Sequence, residues 1–267
     1  PASLTRRRFV TGLAAGGVAA GLGSSPLLWA AASPTTPHYP RTLRGTDFSL
    51  EIGAMPVNFT GRLRSATVVN GSLPAPLLRF REGDTVTLQV RNGLKHLSAI
   101  HWHGLLLPAA MDGVPGLSFR GIEPGASYRY QFEVRQSGTY WYHAHAFFQE
   151  QTGLYGPLVI DPREPEPFAY ERDYVVMLSD WSDMSPECIF GVLKKQSDYC
   201  NLDQRTIADF ARDVSQRGLK ATLADRRAWG AMRMDPTDRA DVNAHTYTYL
   251  MNGNAPAANW TGLFKRG

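Results

Sequence analysis

Charge is scarce in this sequence, at 19% of 267 residues, and no block of like charge runs through its body. Of the net charge of +4, three units correspond to Arg6, Arg7 and Arg8 near the start. The remainder is close to neutral and offers no basic surface for nucleic acid. Long apolar runs are lacking as well. The stretch from Phe9 to Leu22 is short and softened by glycine, so no transmembrane helix is expected in the mature chain. Cysteine is nearly absent: Cys188 and Cys200, with eleven residues between them, are either a pair in an oxidising compartment or two free thiols, and spacing decides neither. What is plentiful points one way. Apolar residues at 43% can build a real core and exclude intrinsic disorder, while 25 glycines, 18 prolines and 11% aromatics fit a turn-rich, secreted β-protein better than a helical bundle.

Residues 1–32 read as an export signal: a basic cluster, an apolar run, then small residues closing at Ala30-Ala31-Ala32. The segment Thr5-Arg6-Arg7-Arg8-Phe9-Val10 resembles a twin-arginine signal, a route for proteins exported already folded. An ordinary Sec leader is the alternative; the paired arginines with Phe at the right offset favour the twin-arginine type. The expected compartment is the periplasm. Three Asn-x-Ser/Thr sequons, at Asn58, Asn70 and Asn259, are read as chance beside such a leader.

Period-two alternation marks half-buried strands at Thr85 to Arg91, with Val86, Leu88 and Val90 on one face, and at Tyr128 to Val134, with Tyr128, Tyr130, Phe132 and Val134 on one face. Turn signals at Asn70-Gly71, Glu82-Gly83-Asp84, Asn92-Gly93, Pro124-Gly125 and Gln136-Ser137-Gly138 recur at sandwich spacing. Residues 47–163 are therefore expected to form one β-sandwich. A weak repeat extends the pattern: Val68-Val69-Asn70-Gly71-Ser72-Leu73-Pro74 is echoed by Leu250-Met251-Asn252-Gly253-Asn254-Ala255-Pro256. Arg81-Glu82-Gly83 follows the first copy and Lys265-Arg266-Gly267 the second. Residues 168–267 thus read as the incomplete start of a second domain of the same kind, and the chain as the front part of a longer protein. A proline-rich, acidic linker spans 161–167, and a helical insertion, including Arg205 to Val214, is expected within 202–230.

Four of the seven histidines fall in two copies of one pattern, His101-Trp102-His103-Gly104 and His143-Ala144-His145. On a strand, residues i and i+2 point the same way, so each pair offers two imidazoles to one space. If the strands are neighbours, four imidazoles converge. Imidazoles without carboxylates or thiolates suit copper, zinc, iron or nickel and argue against calcium or magnesium. Surface pairs without metal are the bland alternative; a single zinc held by one pair and a third histidine is another, though four histidines in two pairs would oversupply it unless it were structural. More than one metal ion accounts best for the number.

The runs Ser98-Ala99-Ile100-His101-Trp102-His103-Gly104, Met111-Asp112-Gly113-Val114-Pro115, Gly138-Thr139-Tyr140-Trp141-Tyr142-His143-Ala144-His145 and Gly153-Leu154-Tyr155-Gly156-Pro157-Leu158-Val159-Ile160 resemble the first cupredoxin domain of multicopper oxidases. With the leader, Val175-Val176-Met177-Leu178-Ser179-Asp180-Trp181, Leu193-Lys194-Lys195-Gln196-Ser197-Asp198-Tyr199 and Trp229-Gly230-Ala231-Met232-Arg233-Met234 are most similar to the family's periplasmic copper-resistance branch. The resemblance implies an all-β, cupredoxin-like Greek-key sandwich followed by the opening of a second. It implies an oxidase that takes single electrons from cuprous ion or a phenol and reduces dioxygen to water at a trinuclear copper cluster. By the same resemblance His101 ligates the type 2 copper, His103, His143 and His145 the type 3 coppers, and Asp112 assists proton delivery; a plain Asp-Gly turn is the alternative for Asp112.

The family's other two motifs, His-x-x-His-x-His and His-Cys-His, are absent, and neither cysteine has a histidine neighbour. The type 1 site is therefore missing from this chain. The remaining ligands are expected from a C-terminal cupredoxin domain, and the chain by itself is expected to be inactive. The rival from another class is a periplasmic copper-binding or sequestering protein without turnover. A two-domain oxidase or nitrite-reductase-like trimer is a third, though such chains keep the thiolate. His38, His96 and His245 are expected to be solvated or unpartnered, Met232 and Met234 to be packing residues, and Tyr128, Tyr130, Tyr140, Trp141 and Tyr142 to be core and sheet residues.

Overall fold

The computed structural model describes residues 40–200, 205–233, 246–258 and 260–265; the expected leader, His38, His245 and Met234 lie outside them. Alternation of apolar and polar side chains generates the first sheet as read from sequence. In β5 (Thr85–Asn92), Val86, Leu88 and Val90 are buried while Thr85, Gln89 and Arg91 face outward. It pairs in parallel with β2 (Asp47–Val57) and antiparallel with β7 (Ser127–Glu133), and β3 (Arg64–Val69) completes the order β3-β2-β5-β7. Val134, just past β7, is buried with Tyr130 and Phe132, and Tyr128 is half-buried against the same core.

The second sheet runs β1-β4-β9-β8-β6, from β1 (Thr42–Arg44), β4 (Leu77–Arg81), β6 (Ile100–His103), β8 (Gly138–Ala144) and β9 (Tyr155–Asp161). Its interior strand β9 is buried from Tyr155 to Ile160, so it shows no alternation. Apart from the adjacent pairs β2–β3 and β8–β9, consecutive strands pass from sheet to sheet, and β1 with β4, β4 with β9 and β2 with β5 pair in parallel. These crossings are of Greek-key type rather than a meander. One core joins the two sheets: Leu50, Ile52, Leu88 and Tyr130 from the first meet Leu78, Trp102, Tyr142 and Leu158 from the second.

Beyond the sandwich, β10 (Leu178–Trp181) and β11 (Thr248–Met251) form an antiparallel pair. The sequence repeat has a structural counterpart here. Asn70 donates its N–H to Glu51 O at 2.9 Å, accepts from Glu51 N–H at Oδ1 at 2.7 Å and donates Nδ2 to Ser49 O at 3.1 Å. Asn252 makes the same three bonds, to Met177 O at 2.8 Å, from Met177 N–H at 2.8 Å and to Val175 O at 3.0 Å. Both asparagines sit at positive φ, 51° and 50°, the left-handed region that Asn tolerates. The Asn70 side chain is thereby committed to two backbone groups, Glu51 N–H and Ser49 O.

Among the described residues, three helices lie between β10 and β11. The helix α1 (Pro186–Leu193) was not foreseen, although its start carries the standard signals: Ser185 Oγ caps Cys188 N–H at 3.2 Å and proline occupies the first turn. The insertion expected from Arg205 appears as α2 (Ile207–Arg217) and α3 (Leu219–Ala231), turned at Gly218. Thr206 and Asp209 form a reciprocal capping box on α2, which moves the helix start two residues past the expected one. Cys188 and Cys200 are free thiols. No helix among the described residues is long and apolar enough to cross a membrane.

Candidate metal centre

Strand β6 is the sheet's edge, and its register against β8 builds the site. Ile100 pairs with Ala144, His101 with His143, Trp102 with Tyr142, and His103 with Trp141. Period two then sorts the side chains. Ile100, Trp102, Tyr142 and Ala144 enter the main core, which leaves His101, His103, Trp141 and His143 on the opposite face. Burying the alternate residues thus fixes which way the imidazoles point, because a one-residue slip would drive histidine into the core.

All four predicted histidines come together. The His101 ring centroid lies 5.6 Å from His103, 5.3 Å from His143 and 5.4 Å from His145. His103 is 5.4 Å from His143, and His143 is 6.1 Å from His145. Ring nitrogens of His101, His103 and His143 all lie within 4.8 Å of one another, close enough for metal ligation. His145, one residue beyond β8, is exposed and stands at the margin of this trio.

The rings are held by their outer nitrogens. His101 Nδ1 lies 2.8 Å from the backbone oxygen of Asp112 and 3.3 Å from its carboxylate. The closer contact of Asp112 is its carbonyl, presented by a turn in which Gly113 has φ +77° and lies against the Ile100 carbonyl so closely that a Cβ would collide with it. His143 Nδ1 lies 2.7 Å from Glu150 Oε2 and 3.0 Å from Ala144 O, while its Nε2 lies 3.2 Å from His103 Nδ1. Loss of hydration, together with the neighbouring His143 and His101, holds the His103 imidazole below its usual range, with Glu150 opposing. The hydrogen bond from His143 holds the Glu150 carboxyl below the usual carboxylate range against its partial burial.

Two neighbours complete the site, one of them, Trp141, on the strand face where period two puts it beside His143. Trp141, expected to be a core and sheet residue, stacks on His143 at 4.2 Å and 20° and lies 5.1 Å from His103. Its odd register with His143 was the available signal. Glu150 carried only the hint of an acid shortly after a histidine pair. Its loop is pinned by the buried Gln149, which accepts from Ser98 Oγ at 2.6 Å and donates to Leu97 O at 2.7 Å. His96 is exposed as expected; Met232 is exposed too, not packed.

Residues 51–165 match the family model of multicopper oxidase. The chain is 59% identical to copper resistance protein A of Pseudomonas syringae pv. tomato over 98% of its length and 43% of that protein's. It is 56% identical to copper resistance protein A of Escherichia coli, again over 98% of this chain and 43% of the other. The chain belongs to the multicopper oxidase family. A mutant laccase from Botrytis aclada superposes with a TM-score of 0.51 at 35% identity, covering 60% of this chain and 30% of that one, and the fold is the cupredoxin-like one expected. This multicopper oxidase chain spans about two fifths of the curated relatives it matches, 43% in each of the two above.

The donor set fits copper. For His101 and His143 an oxygen acceptor at Nδ1 leaves the Nε2 lone pair for a metal, the usual way a protein fixes a ligand's tautomer. Four imidazoles with no thiolate among them suit a borderline transition ion.

Proposed function

We propose that this chain supplies half the ligands of a trinuclear copper cluster in an oxidase of copper resistance: His101 for the type 2 ion, and His103, His143 and His145 for the type 3 pair. The observation that carries the reading is the cross-strand convergence of these rings, with three sets of nitrogens within 4.8 Å. Bound copper would supply the one-electron chemistry that joins oxidation of cuprous ion or a phenol to reduction of dioxygen to water. The chain's own residues hold and orient. Asp112 fixes His101 through its carbonyl, and its carboxylate, 3.3 Å from the same nitrogen, is a group that can hold a proton beside the site.

Residues 47–163 form the first cupredoxin domain in this reading, and 168–267 the incomplete start of a second, for which the repeated asparagine geometry is the support. The remaining ligands and the type 1 copper come from a C-terminal cupredoxin domain of the whole protein, the chain itself spanning 43% of its relatives. Residues 1–32 serve as the twin-arginine-type signal, and the protein works in the periplasm.

Copper titration of the chain with metal analysis tests this. The wild type is expected to retain copper and the His101→Ala/His143→Ala double variant to lose it. Equal retention by both overturns the assignment. Oxygen uptake with cuprous ion or a phenol should be absent from the chain alone; turnover would refute the missing type 1 site. Copper retained by a whole protein that never turns over would favour sequestration.

A further inference from the structure

We infer that Glu150 is a positioning residue, whose carboxylate holds the Nδ1–H of His143 so that the Nε2 lone pair faces His103 and any ion between them. The inference rests on the copper reading for its consequence, but its geometry is independent of metal. Glu150 Oε2 is 2.7 Å from His143 Nδ1 and on the far side of the ring Nε2 is 3.2 Å from His103 Nδ1. The imidazole is therefore gripped along its long axis.

The ring's other freedom, rotation out of plane, is closed by the Trp141 indole stacked at 4.2 Å and 20°. Glu150 is itself held by a loop with no slack. Gln149 is locked by Ser98 and Leu97 on one side of it, Leu154 N–H donates to Gln149 O at 2.9 Å, and Gly153 N–H donates to Glu150 O at 3.0 Å. The loop thus ties the position of the carboxylate to the segment that leads into β6, so both histidine pairs share one reference frame. The Ala144 carbonyl at 3.0 Å is a competing acceptor for the same N–H, neutral and farther than the carboxylate. A charged acceptor forms the stronger bond, so Glu150 is assigned the dominant hold.

The test separates this inference from the copper reading. In the metal-free chain, labelled with nitrogen-15 in histidine, two-bond proton–nitrogen correlations report the tautomer of His143. Wild type should show the Nδ1–H form. Glu150→Gln, whose amide oxygen can still accept, should retain it, and Glu150→Ala should shift the ring toward a mixture with the Nε2–H form. Copper affinity should then fall by about 10–100-fold in Glu150→Ala, the usual cost of removing an outer partner of a metal-bound histidine, and by less in Glu150→Gln. An unchanged tautomer and unchanged affinity in Glu150→Ala would mean that the Ala144 carbonyl suffices, and would overturn the inference. If the wild type binds no copper while the tautomer responds as described, the copper reading fails and the positioning of His143 by Glu150 stands.

Discussion

At the scale of single residues, the site depends on a backbone atom as much as on side chains. His101 is oriented chiefly by the Asp112 carbonyl at 2.8 Å, with the carboxylate at 3.3 Å. Asp112→Asn leaves that carbonyl in place, so copper retention by the chain should change little, as metal analysis after dialysis would show. Gly113→Ala should do the opposite. The new Cβ would meet the Ile100 carbonyl and φ of +77° would become strained, costing about 1–3 kcal/mol for the backbone alone. A lowered urea midpoint together with weakened copper retention is expected; a variant as stable as wild type would show that the turn relaxes freely. Histidine pairs at i and i+2 are legible because a strand's period is two. Glu150 is not, since its role depends on a loop that curls back, which periodicity does not report; the same period of two puts Trp141 on the face of His143, while their stacking is set by packing.

At the scale of elements, alternation identified β5 and β7 because each has one face in the core and one in water. It is silent on β9, which lies between β4 and β8 and is buried along most of its length. Helix α1 is a different kind of miss: Ser185-Pro186-Glu187 is a start signal, but eight residues give too little periodicity to be noticed beside it. The insertion helices rest on local chemistry. Thr206 caps α2 and Asp209 answers it, so Thr206→Ala should cost about 1 kcal/mol of helix stability, read by far-ultraviolet circular dichroism during denaturant titration. Hydrogen bonds from Thr206 pull the Asp209 carboxyl down to about 2. A depressed carboxyl stabilises the folded form fully only above its unfolded value of about 3.9. The helical signal of this hairpin should therefore hold down to that pH and fail progressively as pH drops toward about 2. Asp209→Asn should flatten that decline, and an acid profile identical in wild type and variant would remove the carboxylate from the account.

At the scale of the whole molecule, the two strands after the sandwich are joined to it by a second core. Trp181 and Leu250, from β10 and β11, pack with Val57, Val68, Leu73 and Tyr155 from the sandwich. Strands β3 and β9 serve both cores: Val68 and Tyr155 belong to the second, Val69 and Leu158 to the first. Trp141 is partly buried against the second core and stacks on His143, so this core braces the histidine-bearing face of β8 through Trp141. Sequence announces the repeated Asn-Gly turn but not this junction, because the cluster gathers residues as far apart in the chain as Val57 and Leu250. Trp181 is 4% exposed and donates its indole N–H to Asp183 at 3.0 Å, and Trp181→Ala should cost about 3–5 kcal/mol. Because β3 and β9 belong to both cores, the loss should appear as one earlier transition, seen alike by tryptophan fluorescence and by backbone dichroism. It should also weaken copper retention through Trp141, by less than His143→Ala does. A separate early transition that leaves the sandwich and its copper untouched would show that the two cores are energetically independent and that the histidine face needs no support from β10 and β11.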